Sequence, residues 1–156
     1  MLYPTASSAN GASYEKLEKA RALGADDLIN YKRDTDWAAK VLEITNGRGV
    51  DNIIEVGGPD MLGQSIRACR IGGHIALIGV LTGIAGQVPT AQLMRRQQTL
   101  QGLIVGSRRQ QIDMIRAIDA NGIKPVIDST FALEEIADAF RHQAAGKHFG
   151  KVCLSI

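Results

Sequence analysis

The residues best suited to bind a ligand are glycines that follow three predicted strands. They lie in the segments Glu55-Val56-Gly57-Gly58, Leu77-Ile78-Gly79-Val80 and Leu103-Ile104-Val105-Gly106-Ser107. Glycine has no Cβ, so a flat ligand can lie directly against the backbone where a strand ends. Any one of these glycines could equally serve only to make a turn. The same feature at three strand ends favours a ligand-binding edge.

The residue types give little support to a metal site or a catalytic nucleophile. The histidines and cysteines lack the spacing of a ligand set, so we expect no zinc: His74, His142, His148, Cys69 and Cys153. No Ser-His-Asp or Cys-His arrangement stands out, and Cys153 is most simply a small core residue. The pairs Arg95-Arg96 and Arg108-Arg109 flank a predicted strand and are typical of a solvated rim.

Alternating helices and strands must position these strand ends. Apolar spacing, capping residues and glycine stops predict helices over residues 14–23, from 34 or 35 to about 44, 61–69, 90–96, 109–120 and 134–145. Short apolar runs predict strands over residues 28–31, 50–56, 74–78, 100–105, 126–127 and 151–156, with a weak one over 5–10. Such an order indicates a parallel sheet covered on both faces.

Composition limits the class of protein. The chain has 156 residues, of which 45% are hydrophobic and 22% charged, which suits one globular domain. Its net charge of +2 is too small to favour nucleic acid or a membrane surface as a partner. The longest apolar run, Ile75–Leu81, is too short to span a bilayer, and no secretory signal opens the chain. Two cysteines make no disulfide framework, so we expect a cytoplasmic protein.

The predicted fold class is α/β, an incomplete Rossmann-like, doubly wound parallel sheet. Ligands of such sheets bind beyond the carboxyl ends of the strands. A dinucleotide-binding sheet normally opens with a strand, a glycine-rich turn and a helix whose N-terminus holds the pyrophosphate. Neither GxGxxG nor GxxxxGK(S/T) occurs, so this opening unit is not encoded here.

Five segments in order resemble the medium-chain dehydrogenase/reductase superfamily, nearest to its quinone oxidoreductase-like and zinc-type alcohol dehydrogenase branches. They are KLEKARALGADDLINY, VLEITNGRGVDNIIEVGG, SIRACRIGGHIALIGV, LQGLIVGSR and KPVIDSTFALEEIADAFRHQAAGKHFGKV. The resemblance implies an oxidoreductase that uses NADP(H). It also implies three parts: a remnant over residues 1–12, a partial dinucleotide-binding domain over 13–123, and a tail over 124–156 that joins the catalytic domain in full-length relatives.

The resemblance implies a site for the 2′-phosphate of the adenosine. NADPH-using relatives place there a serine just before a helix, a lysine in its first turn and a tyrosine that ends the next strand. Ser13, Lys16 and Tyr31 match these positions. A hydroxyl, a cation and a helix N-terminus suit a phosphate. Lys16 could instead be a solvated helix charge, and Tyr31 a half-buried strand aromatic.

The resemblance also assigns the strand ends. Val56 and Gly57 would lie under the adenosine, and Gly79 and Val80 would line the nicotinamide. Leu103 and Val105 would bound a segment that reaches the carboxamide through backbone groups. Lys151 matches a basic residue that contacts cofactor phosphates, although it could equally be a surface lysine on an edge strand.

The catalytic domain of the family, with its proton relay and metal ligands, has no counterpart in these residues. We therefore expect no activity from this chain alone, and a separate polypeptide could supply that domain. One alternative is a non-catalytic, self-associating Rossmann-like module that binds no cofactor. Another is a piece of a longer, ordinary NADPH-dependent reductase.

The family's first strand is also unmatched, which leaves strand Val50–Val56 without one neighbour. Unpaired buried backbone costs roughly 1–3 kcal/mol per group. Leu28–Tyr31 could pair directly with Ile53–Val56, since the crossover would stay right-handed, or a second chain could pair there. Relatives dimerise through the strand that matches Leu100–Val105, so we predict a homodimer through this edge.

Overall fold

The computed structural model describes residues 8–11 and 13–156, and helices alternate with strands throughout. The first part holds β1 (Ser8–Gly11), α1 (Tyr14–Ala22), β2 (Asp27–Asn30), α2 (Trp37–Ile44), β3 (Val50–Glu55), α3 (Pro59–Ala68), β4 (Cys69–Leu77), α4 (Thr90–Arg95) and β5 (Thr99–Gly102). The second holds α5 (Arg108–Ala120), β6 (Ile127–Ala132), a 3-10 turn (Leu133–Glu135), α6 (Ile136–Ala144) and β7 (Lys151–Ser155). The chain divides into two compact units, one up to Ile104 and one over Val105–Ile156.

All strand pairs in the described residues are parallel. In the first unit β1 pairs with β2, and β3, β4 and β5 form a three-stranded sheet in that order. In the second unit β6 pairs with β7. This arrangement confirms the predicted α/β, Rossmann-like parallel architecture. Within the described part of the chain, no helix is both long and apolar enough to cross a membrane.

The sequence analysis offered two ways in which strand Val50–Val56 could gain its missing neighbour. The first, direct pairing of Leu28–Tyr31 with Ile53–Val56, is wrong. The hydrogen-bonding partner of β2 is β1, with Gly11 opposite Asn30, and β3 pairs only with β4 among the described strands. Side-chain packing instead joins β2 to β3: Ile29 lies in one buried cluster with Trp37 and Val41 of α2, and Val50 and Ile53 pack against it. The second way, pairing of this strand with a second chain, stays a prediction.

Three predicted element boundaries need correction. The strand predicted over residues 74–78 begins at Cys69, because Gly72 and Gly73 lie in an irregularity of β4 rather than in a turn before it. Gly102 ends β5 instead of interrupting it, although the Leu103 N–H still bonds to the Leu77 carbonyl at 3.0 Å. The extended segment predicted at residues 126–127 is the start of the six-residue strand β6.

Packing of α3 on the three-stranded sheet fixes the strand ends that matter for the site. Gly58 precedes the helix with a φ of 94°, and Pro59 occupies its first position, where no backbone donor is needed. Leu62 and Ile66, one turn apart, are buried with Cys69 and Ile75 of β4. Burying side chains of this size stabilises the fold by about 1.5–3 kcal/mol each.

Candidate functional site

The turn from β3 into α3 is held by a buried acidic side chain, Glu55. Its side chain is only 4% exposed, and its Oε1 accepts hydrogen bonds from the Gly57 N–H at 2.7 Å and the Gly58 N–H at 3.1 Å. Its other oxygen accepts from the Ser65 hydroxyl of α3. The carboxyl group therefore occupies the place at this helix N-terminus where a bound anion would otherwise be favoured.

The ends of β3 and β4 lie in direct backbone contact. A Cβ at Gly79 would collide with the Val56 carbonyl, and one at Gly58 would lie 3.0 Å from the Val80 Cα. The N–H groups of Ile78 and Gly79 bond to the Glu55 carbonyl at 2.9 and 3.2 Å. Gly79 is thus required by the close approach of two strands, a structural role that does not depend on any ligand.

The loop after β4 closes onto the same turn through Thr82. The Thr82 N–H and hydroxyl both donate to the Gly57 carbonyl, at 2.8 and 3.0 Å, and the hydroxyl accepts from the Asp60 N–H at 3.1 Å. These bonds, with those of Glu55, engage the N–H groups of Gly57, Gly58 and Asp60 and the Gly57 carbonyl. The N–H donors of Gly57, Gly58 and Asp60 are therefore already used within the protein, and a ligand at this turn would meet shape and apolar surface in their place.

The structure brings four of the residues assigned from the resemblance to one edge: Val56, Gly57, Gly79 and Val80. Leu103 continues beside them through its bond to Leu77. Val56, Val80 and Leu103 are about half exposed, at 49%, 56% and 51%. The backbone of these strand ends forms a continuous surface, which we call the floor of the site. Apolar side chains exposed together on this floor suit the face of a planar ring system.

The residues assigned to the 2′-phosphate follow the carboxyl ends of β1 and β2, which are parallel neighbours. Ser13 precedes α1 and makes no capping hydrogen bond with its hydroxyl, and Lys16 lies in the first turn of that helix. Tyr31 directly follows β2, and its N–H bonds to the Gly11 carbonyl at 3.3 Å. Tyr31 is half-buried and packs against the Trp37 cluster, as the alternative of a half-buried strand aromatic predicts.

Two further cations border this edge, and the sequence analysis missed both. Lys32 and Arg33 lie in a turn organised by Asn30, whose side chain accepts from the Lys32 N–H at 3.1 Å and whose carbonyl accepts from the Arg33 N–H at 3.0 Å. The Arg33 guanidinium donates to the Tyr14 hydroxyl at 3.0 Å, which brings it to the start of α1. The KR pair after the predicted strand was the available signal.

Two assigned residues belong to the second unit. Val105 is its first residue, 87% exposed, and Lys151 is the first residue of β7, with its N–H bonded to the Val126 carbonyl at 2.8 Å. Lys151 also lines an open apolar pocket of about 340 Å³ with Phe140 and His148.

A second polar contact of this unit centres on Asp128. Its carboxylate accepts a hydrogen bond from the Phe149 N–H at 2.8 Å and contacts the His142 ring at 2.9 Å.

Similarity to known proteins covers most of the chain. The profile of a family described as zinc-binding dehydrogenase matches residues 23–154. A zinc-type alcohol dehydrogenase-like protein of Schizosaccharomyces pombe is 39% identical over 93% of this chain and 43% of its own length. Quinone oxidoreductase-like protein 2 of Bos taurus is 31% identical over 95% of this chain and 45% of its own length. The chain therefore spans less than half of these relatives.

Solved structures agree with the sequence relatives. A putative alcohol dehydrogenase from Sinorhizobium meliloti 1021 superposes with a TM-score of 0.88 at 40% identity, over 96% of this chain and 43% of that one.

The family description implies zinc, and the described residues do not fit a zinc site. No three His, Cys, Asp or Glu side chains within residues 8–11 and 13–156 are grouped as metal ligands would be. No chemical step is therefore assigned to a metal here. The family match, the relatives and the shared fold together establish that the chain belongs to the zinc-binding dehydrogenases, within the medium-chain dehydrogenase/reductase superfamily.

Proposed function

We propose that this chain carries the NADP(H)-binding part of an oxidoreductase of the alcohol dehydrogenase or quinone reductase type, located in the cytoplasm. One observation carries the proposal: the ends of β3 and β4 form a continuous floor, bordered by Leu103, at the carboxyl edge of a parallel sheet. Both cysteines are free thiols, which suits a reducing compartment.

The charges favour NADP(H) over NAD(H). A 2′-phosphate placed at the N-terminus of α1 would meet the Ser13 hydroxyl and the Lys16 ammonium, with Lys32 and Arg33 beside it. At the β3–α3 turn, by contrast, Glu55 already uses the Gly57 and Gly58 N–H groups. A phosphate is therefore better accommodated at α1, and the β3–α3 turn suits the uncharged part of the adenosine.

The residues of this chain would bind and orient the cofactor rather than activate a substrate. Val56 and Gly57 would support the adenosine, and Gly79 and Val80 one face of the nicotinamide. Leu103 and Val105 would supply backbone groups to the carboxamide, and Lys151 a charge to a cofactor phosphate. When bound, NADP(H) supplies or accepts the hydride. The substrate site would come from a catalytic domain elsewhere, on the same or a separate polypeptide.

A fluorescence titration with NADPH and NADH tests the cofactor assignment. We expect saturable NADPH binding tighter than millimolar, and weaker binding of NADH. Lys16→Ala should weaken NADPH binding by about tenfold, since one hydrogen-bonded charge pair contributes about 1.5–3 kcal/mol and exposure reduces that value. NADH binding should change little. Lys40→Ala, an exposed lysine of α2 paired with Glu43, is the matched control.

A second candidate function is a self-associating module that binds no cofactor. It is favoured by Gly79 and Gly58, whose presence backbone packing explains without a ligand. Failure of NADPH to saturate, or only binding weaker than millimolar that Lys16→Ala leaves unchanged, would favour this module over the cofactor-binding part.

Both functions are compatible with the homodimer that we propose through residues 100–105. The outer edge of β5 has no strand partner in the described chain, and Leu103 and Ile104 beyond it are 51% and 94% exposed. An open strand edge beside apolar side chains favours pairing with a second copy.

A further inference from the structure

We infer that the first unit has a second anion site, for a phosphate ester or polyphosphate, in an open pocket between α3 and α4. The pocket has a volume of about 410 Å³, within the range of ligand-binding clefts. Four side chains line it: Arg67 from α3, Gln92 and Arg95 from α4, and Arg96 just after α4. Three guanidinium groups and a carboxamide are the lining groups, with no carboxylate among them.

The charge of this pocket is mostly uncompensated. Arg67 pairs with Asp36, at 2.9 Å between Nη1 and Oδ1. No carboxylate of the described chain lies within ion-pair distance of Arg95 or Arg96. Two positive charges thus remain in one pocket, where they repel each other unless an anion is present. An anion with at least two negative charges would neutralise both.

Hydrogen bonds to backbone carbonyls orient two of the guanidinium groups in the absence of a ligand. Arg96 donates to the Cys69 carbonyl at 3.1 Å, and its own carbonyl accepts from the Gly72 N–H at 2.8 Å. Arg95 Nε donates to the Ala91 carbonyl at 3.3 Å. Each arginine has five N–H donors, so these bonds leave others for a ligand. Guanidinium groups that are already oriented match phosphate oxygens with pairs of N–H donors and lower the entropic cost of binding.

The pocket lies at the opposite edge of the sheet from the proposed cofactor site. Arg67 comes two residues before β4, and Arg95 and Arg96 come shortly before β5, so all three precede the amino ends of their strands. Val56, Gly79 and Leu103 follow the carboxyl ends of the same sheet. The site is therefore independent of the proposed cofactor function.

Calorimetric titration of the 156-residue chain with pyrophosphate tests this inference. We expect one saturable site whose affinity falls with added salt. Arg95→Gln should weaken binding by about fivefold or more, which is about 1 kcal/mol. Arg116→Gln, which removes an exposed arginine of α5, should change the affinity by less than about twofold. Asp36→Asn should tighten binding by about threefold, because it frees Arg67 and asparagine still caps α2.

Several results would overturn the inference. They are the absence of saturable pyrophosphate binding, an unchanged affinity in Arg95→Gln, and equal losses in Arg95→Gln and Arg116→Gln. Tighter binding of malonate than of pyrophosphate would overturn the assignment to phosphates. Arg95 is exposed, and circular dichroism establishes that each variant is folded before titration. A purely structural role, in which the arginines offset the dipoles at the C-termini of α3 and α4, would change stability and leave binding unaltered.

Discussion

The Glu55 carboxyl group accepts hydrogen bonds from the Gly57 and Gly58 N–H groups and from the Ser65 hydroxyl, all within the turn that leads β3 into α3. Three donors depend on this one side chain, and its near-complete burial keeps water from replacing it. This turn is part of the floor that we propose supports the adenosine. Glu55 is therefore a positioning residue for that floor.

Replacing Glu55 should destabilise the first unit. Glu55→Ala leaves buried N–H donors without a partner, so we expect the free energy of unfolding to fall by about 2–4 kcal/mol in urea denaturation. Glu55→Gln retains an oxygen acceptor and should lose less than half of that. Glu43→Ala, an exposed residue of α2, should stay within about 0.5 kcal/mol of wild type. Equal stability of Glu55→Ala and wild type would show that these bonds contribute nothing.

Asp128 predicts how the second unit responds to acid. The Phe149 N–H bond, and then the His142 contact, lower the pKa of Asp128 to about 2, against an ordinary value of about 4. A lowered folded-state pKa stabilises the fold above the unfolded-state pKa, and this contribution is lost as pH falls through the folded-state value. Thermal melts should show Asp128→Asn below wild type at pH 5, with the difference shrinking from about pH 4 to 2. A constant difference would contradict this.

Residue types alone could not reveal the contacts that Glu55 and Arg33 make. The partners of Glu55 are backbone N–H groups two and three residues away, and they face it only because of the turn geometry around Gly58. Arg33 reaches Tyr14 across 19 positions of sequence because β1 and β2 are parallel neighbours. By contrast, the strand ends at Val56-Gly57 and Gly79-Val80 were predictable, because an apolar run followed by glycine indicates where a strand ends.

At the scale of elements, Gly79 and Gly63 illustrate two different situations: a glycine that close backbone packing requires and a helical glycine that packing does not require. A Cβ at Gly79 would collide with the Val56 carbonyl, whereas one at Gly63, within α3, has nothing within 4 Å. Gly79→Ala should therefore lower the free energy of unfolding by about 1–3 kcal/mol. Gly63→Ala should raise it by about 0.5–1 kcal/mol, since alanine favours a helix. A tolerated Gly79→Ala would mean that the two strand ends can separate.

The element order was predictable, and the pairing of β2 was not. Apolar spacing, capping residues and glycine stops together located the described helices within a few residues. In α3 the apolar stripe of Leu62 and Ile66 faces a core, whereas α4 and α5 contain no buried residue and were located mainly by their ends. The partner of β2 depends on residues 8–11, whose sequence Ser-Ala-Asn-Gly has weak strand preference. β4 extended past Gly72-Gly73 because a register shift in the sheet absorbs the glycines, a tertiary effect invisible locally.

At the scale of the whole molecule, the open edge of β5 predicts the oligomeric state. Light scattering should give a mass of twice 16.8 kDa. Ile104→Lys should shift the protein to a monomer, because a charge would be buried at the interface. Ile84→Lys is the matched control, since Ile84 and Ile104 are both 94% exposed. A monodisperse wild-type monomer would contradict the dimer.

The most direct test of the proposed cofactor site is a map of backbone amide shifts in a nuclear magnetic resonance titration with NADPH. If the strand ends hold the dinucleotide, the amides of Val56, Gly57, Gly79, Val80 and Leu103 should shift saturably, together with those at the start of α1. The amides of α3 beyond its first turn should stay unchanged. Saturable shifts confined to other surfaces, or no shifts at millimolar NADPH, would contradict cofactor binding at this edge.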